Sequence, residues 1–188
     1  MARPRTFSID DAVARATEVF RLRGYTEAGL HDLLRAMGIV RGSFYKAFGS
    51  KQALFLRCLE RYDREVVDGA VALLRDERLD GHERIARLFR AGLDAAGEAG
   101  GCLLCNTAGG PVLEDEPVRE AVRRQLDRLT NAFAAAVETT GAPDPQGEAH
   151  RLTMLYVGLR VLARGGASPA ALERAVAPLT HPNSTRSD

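Results

Sequence analysis

The sequence contains no uninterrupted apolar run long enough to cross a bilayer, and its first twenty residues carry Arg3, Arg5, Asp10 and Asp11 where a secretory signal needs an apolar core. A cytoplasmic protein with no membrane partner is expected. Cysteine is scarce: Cys58, Cys102 and Cys105 are an odd number in a chain of 188 residues, which is large enough to fold without staples, so free thiols are expected. No stretch alternates apolar and polar residues as a half-buried strand does, which leaves an all-α protein. The four histidines, His31, His82, His150 and His181, are scattered, and no nucleophile motif surrounds Cys102 or Cys105. An enzyme is therefore not expected. The Cys102-x-x-Cys105 spacing lacks both the second ligand pair that zinc needs and the preceding strand of a thioredoxin-like site, so neither metal nor cofactor is expected.

What is present is a 45% hydrophobic chain, enough for a core, with a formal net charge of +1 that hides an asymmetry. Residues 1–51 hold nine Lys/Arg against five Asp/Glu, and the remainder holds seventeen against twenty. The basic part contains Gly24 to Lys51, GYTEAGLHDLLRAMGIVRGSFYKAFGSK, in which two short helical patterns hinge on Met37-Gly38-Ile39. The first is expected over about Gly29–Ala36 with Leu30, Leu33 and Leu34 inward. The second turns Arg41, Gly42, Ser43, Tyr45 and Lys46 outward while Phe44 and Phe48, four apart, anchor it. A guanidinium, a hydroxyl, a phenol and an ammonium are the groups that read base edges and grip phosphate, and Lys51 follows at the head of the next helix. This pattern predicts a helix-turn-helix on double-stranded DNA, with Arg41, Ser43 and Tyr45 on bases or backbone and Lys46 and Lys51 on phosphate.

These residues resemble the DNA-binding region of the TetR family of bacterial transcriptional regulators. The match runs through Gly24-Tyr25, Asp32-Leu33-Leu34, Gly38-Ile39, Gly42-Ser43-Phe44-Tyr45-Lys46 and Phe48-Gly49-Ser50-Lys51. Ala28 and Val40 depart from it, standing where Thr and Ser usually cap the two helices, a loss of about 1 kcal/mol each. The resemblance implies a helix-turn-helix domain over 1–50 and a helical effector-binding and dimerisation domain over 51–180. It also implies a homodimer on a palindromic operator, most readily a repressor released by a small-molecule effector, with coupling through helix four.

Along the chain, Ser8 caps a first helix expected over about Ile9–Arg23, on Ile9, Val13, Ala16 and Phe20. Arg3 and Arg5 before it read either as an arm reaching a DNA groove or as a frayed terminus. Ser50 caps a long helix whose stripe is Leu54, Phe55, Cys58, Leu59, Tyr62, Val66, Ala70 and Leu73, running to about Arg75. Further helices are expected on Ile85, Leu88, Phe89 and Leu93; from Cys102 to Gly109; from Pro117 through Val137; on Leu152 to Leu162; and from Ser168 through Leu179. The polar tail 181–188 is expected to be disordered.

In the stretch Gly101-Cys102-Leu103-Leu104-Cys105-Asn106-Thr107-Ala108, helical spacing puts both sulfurs on one face, with Cys102 nearer the helix start and the more reactive. The stretch resembles a subset of TetR-like regulators in which some members respond to electrophiles or oxidants through that cysteine, which makes a thiol-based sensor acting through Cys102 and Cys105 the alternative function. The competing reading makes both sulfurs small core residues. Asn106 and Thr107 either bond an effector or cap a helix. The family resemblance implies an effector pocket in the C-terminal helices, with Tyr62, Phe89, Leu93, Cys102, Cys105, Asn106, Phe133, Met154 and Tyr156 as candidates. It places the dimer interface on the last two long helices, about Gln146–Arg164 and Ser168–Leu179.

Overall fold

The computed structural model describes residues 8–180, so the expectations for Arg3, Arg5 and the tail from His181 lie outside the described residues. Helix α1 (Ile9–Glu27) starts where the Ser8 hydroxyl accepts a bond from the Asp11 amide at 3.2 Å, and it buries Ala12, Val13, Ala16 and Phe20. It ends four residues later than the spacing predicts, after a break at Gly24 that turns Tyr25 back onto the core. Helix α2 (Leu30–Met37) buries Leu33 and Met37 and closes on Gly38 at φ 67°, ψ 32°, where the Ile39 amide reaches the Leu34 carbonyl. A residue with a Cβ is strained in that left-handed conformation, and this is why glycine makes the turn.

Helix α3 (Arg41–Phe48) hangs from Phe44 and Phe48, both buried. As the sequence suggests, neither α2 nor α3 has a side-chain cap. Helix α4 (Lys51–Tyr62) does, since the Ser50 hydroxyl accepts from the Ala53 amide at 3.0 Å. Phe20, Tyr25 and Phe55 form the aromatic centre of this head, with Phe20 edge-on to Phe55 at 4.8 Å.

The long helix expected to Arg75 is not continuous. A π-helical turn, Asp63–Val67, separates α4 from α5 (Asp68–Leu74), and the Asp68 amide bonds five residues back to the Asp63 carbonyl. The turn inserts one residue into the helical count, so the stripe slips by one position beyond Tyr62. Val67, Val71 and Leu74 are buried in place of the expected Val66, Ala70 and Leu73, and Val66 is 46% exposed. Two residues of the opposing helix grip the irregularity. Gln125 Nε2 donates to the Leu59 carbonyl at 3.1 Å, and Arg128 bridges Asp63 (2.5 Å) and Asp68.

The remaining helices are α6 (Gly81–Asp94), α7 (Leu103–Ala108), α8 (Glu116–Glu138), α9 (Pro145–Arg164) and α10 (Pro169–Thr180), and no strand occurs among the described residues. Asp80, Asp115 and Asp144 cap α6, α8 and α9 through bonds to amides three residues on. Helix α8 packs along α9 and α10 lies on α6. Asp115, the cap of α8, also accepts from Gln52 on the first turn of α4, which ties the head to the regulatory helices. Among the described residues no helix is long and apolar enough to cross a membrane, and no cluster of three metal-ligating side chains occurs.

Candidate functional site

The outer face of α3 is built by its inner one. With Phe44 and Phe48 in the core, Arg41, Gly42, Tyr45 and Lys46 are left exposed and Ser43 half-buried, in a helix without an acidic residue. Arg41 lies over the Tyr45 ring, 5.7 Å from guanidinium carbon to centroid, so the two side chains present one flat cationic surface. Val40, where a cap is absent, is 71% exposed beside them, an apolar group suited to a thymine methyl. Sequence reading passed it over as a missing cap. Arg35 and Arg57, the latter over the Phe48 ring at 5.4 Å, add exposed cations at the ends of this surface.

Lys51 is placed otherwise than expected. Its ammonium stands 4.5 Å from the Tyr25 ring centroid and donates to the Thr26 carbonyl at 3.5 Å, and burial lowers its pKa. It pins the end of α1 to the start of α4 and is only half accessible to a phosphate.

The candidate regulatory residues fall into four places. Phe89, Phe133 and Tyr156 share one aromatic cluster, with centroids 5.7 to 6.4 Å apart. Tyr62, Cys102 and Cys105 meet beside it: the neighbouring Cys105 thiol and then the Tyr62 hydroxyl hold the Cys102 pKa below the ordinary thiol value, while Cys102 and burial push Cys105 up and burial and Cys102 push Tyr62 up. Leu93 lies apart, in a cleft of about 270 Å³ with Ala96, Ala167 and Leu172. Asn106 borders a cleft of about 320 Å³ between the end of α1 and α7, with Phe20, Tyr25, Leu103 and Val112 among its walls. Its amide is occupied, donating to the Gly100 carbonyl at 2.6 Å and to the Arg21 carbonyl at 3.4 Å, and Thr107 bonds within its own helix to Leu103. Met154, expected in the pocket, is 69% exposed on the outer face of α9.

The residue that sequence reading missed is Arg160. It is 7% exposed, donates from Nη1 to the Gly92 carbonyl at 3.0 Å, and acts electrostatically on Tyr62, Cys102, Cys105 and Tyr156 alike. Its place in the inward 149-152-153-156-160 row of α9, of which Tyr156 is only partly buried, was visible in the spacing, yet a charged residue is ordinarily assigned to the outer face.

The profile of bacterial regulatory proteins of the TetR family matches residues 12–58. The HTH-type transcriptional regulator YezE of Bacillus subtilis (strain 168) is 32% identical over 140 residues, 71% of this chain and 70% of that one. The HTH-type transcriptional repressor NemR of Escherichia coli (strain K12) is 27% identical over 165 residues, 82% of this chain and 83% of that one. Among solved structures, a cysteine mutant of the TetR family regulator CifR, complexed with 26-bp operator DNA, superposes with a TM-score of 0.80 at 30% identity, covering 93% of this chain and 98% of that one.

Proposed function

The chain belongs to the TetR family of bacterial transcriptional regulators, and from that premise we propose that it is a homodimeric, ligand-responsive repressor that leaves a palindromic operator when a small-molecule effector binds. The observation that carries this reading is the outer face of α3, where Arg41, Tyr45, Lys46 and Val40 stand exposed on a helix held from behind by Phe44 and Phe48. Arg41, Ser43 and Tyr45 meet base edges and backbone with Gly42 allowing close approach, and Lys46 holds phosphate. Lys51 contributes through the packing of the head.

The DNA-binding domain is residues 1–50, with the first turns of α4 packed on it through Phe55 and Cys58 to complete the head, and the effector-binding and dimerisation domain is 51–180. A homodimer is supported by the outer row of α9, where Met154, Val161 and Leu162 lie exposed, and by symmetry, because two short recognition helices must enter successive major grooves roughly 34 Å apart. The aromatic cluster of Phe89, Phe133 and Tyr156 supports an apolar effector site, and the named repressor among the relatives supports repression. The protein acts in the cytoplasm, where its operator is. The test is retention of genomic fragments by the purified protein at low ionic strength. A protein with an intact head that retards none of them would end this reading.

A second reading, a sensor acting through Cys102 and Cys105, is favoured by one specific observation: Cys102 is the chain's single thiol whose environment favours the charged form. Operator binding before and after mild oxidant, with mass spectrometry to score Cys102, separates it from the first.

A further inference from the structure

The seam between the head and the regulatory helices holds a cleft of about 320 Å³, within the range of small-ligand sites, roughly 300–1,000 Å³. One side is the end of α1, at the break where Gly24 takes φ 76°, and the other is α7 with the 3-10 turn Pro111–Glu114 that follows it. Phe20 and Tyr25, whose rings lie 16° from parallel with centroids 6.1 Å apart, line the head side, and Leu103, Pro111 and Val112 line the other. Walls of that kind take a flat ring. None of these residues belongs to the cluster of Phe89, Phe133 and Tyr156.

The charged residues on the border of the cleft, Arg23 and Glu27, are exposed and already answered. Arg23 pairs with Asp32 at 2.5 Å, and Glu27 acts electrostatically on Lys51, whose ammonium also donates to the neighbouring Thr26 carbonyl at 3.5 Å. A neutral occupant leaves both arrangements intact. The polar side chains that α7 contributes have committed their donors: the Asn106 amide nitrogen to the Gly100 and Arg21 carbonyls, and the hydroxyl of buried Thr107 to Leu103 at 2.7 Å. Each keeps acceptor capacity alone, so the occupant that satisfies them brings an O–H.

We propose that this cleft is a second ligand site, separate from the aromatic cluster, that takes a small neutral phenol, its ring between the end of α1 and the 111–114 turn and its hydroxyl donating to α7. Occupancy is felt at both sides of the seam. The turn leads directly into Asp115, which caps α8 and accepts from Gln52 on the first turn of α4. The opposite wall is α1, whose Phe20 packs on Phe55 of α4. A ring held between them fixes α1 against α7, and two heads so fixed adjust less readily together to the spacing of successive grooves. The site stands on its own geometry, whereas its effect on DNA rests on the repressor reading above.

The first measurement is isothermal titration calorimetry with 2-naphthol beside its methyl ether, 2-methoxynaphthalene, which has the same rings and no O–H. The naphthol is expected to bind at least about fivefold more tightly, as one neutral hydrogen bond supplies. Val112→Trp, which fills the cleft, is expected to weaken it at least about tenfold. Should that variant fail to fold, Thr26→Trp closes the same cleft from an exposed position. No measurable binding of either molecule, or binding that these substitutions leave unchanged, overturns the site, and equal affinity for the two probes overturns the phenol. The second measurement is operator affinity at saturating 2-naphthol, expected to fall at least about fivefold; undiminished affinity overturns the link to the head. A protein that binds 2-naphthol in the cleft yet retards no genomic fragment keeps the site and loses the repressor reading.

Discussion

At the scale of single residues, burial and stacking divide side chains that look alike in sequence. Lys46 is exposed, whereas Lys51 is folded onto Tyr25 and the Thr26 carbonyl. Lys46→Ala is therefore expected to reduce the slope of log affinity against log salt by about one, while Lys51→Ala changes it by much less. Fluorescence anisotropy over a salt series checks both. Arg41→Ala is expected to cost about 1–3 kcal/mol at the best operator and to flatten the preference among operator variants. Cys58 differs from Cys102 in the same way: fully buried in the head, bonded to the Val13 carbonyl, its thiol is pushed up to about 12. Native protein is expected to remain unmodified at Cys58 under iodoacetamide until denaturant unfolds the head, as peptide mass spectrometry will report. The outward set on α3 was legible because two phenylalanines four apart fix the phase of a short helix. The fate of Lys51 was not, because it depends on Tyr25, which the break at Gly24 redirects.

At the scale of elements, caps and turns obey local rules of ordinary magnitude. Ser50→Ala is expected to lower stability by about 1 kcal/mol, read as a urea midpoint, since it removes the bond to Ala53 at the head of α4. The π turn was illegible for a physical reason. Val66 and Val67 are equally apolar, and periodicity counted from Tyr62 selects the former, so the extra residue is decided by Gln125 and Arg128, more than fifty residues away. Arg128 also offers a pH test. Burial and the neighbouring Asp68 raise the Asp63 pKa, and Arg128 opposes the rise. A raised carboxyl pKa favours the folded state below the unfolded value of about 3.9 and loses that contribution as pH rises through the folded value. Arg128→Ala removes the opposing cation, so its destabilisation is expected to be larger at pH 7 than near pH 4, where Asp63, its pKa raised, begins to take up its proton. Equal urea midpoint losses at the two pH values would refute this account of the turn.

At the scale of the whole molecule, the order of the helices was readable from spacing, capping residues and glycines. The inward place of Arg160 fits the spacing of α9 but was not assigned, because a cation is ordinarily put on the outer face. In the proposed homodimer the outer row of α9 supplies the contact. Leu162, 58% exposed, is expected to lie at the twofold contact, so Leu162→Asp should yield monomers in sedimentation velocity and lose operator affinity by far more than Arg41→Ala, since one recognition helix alone makes few contacts. The π turn has a practical corollary for chimeric regulators. Each added helical residue rotates the downstream helix by roughly 100°, so a foreign regulatory body fused before Asp63 would meet this head in the wrong rotational phase unless it brings a π turn of its own, whereas a seam placed after Val67 carries the offset along with the head.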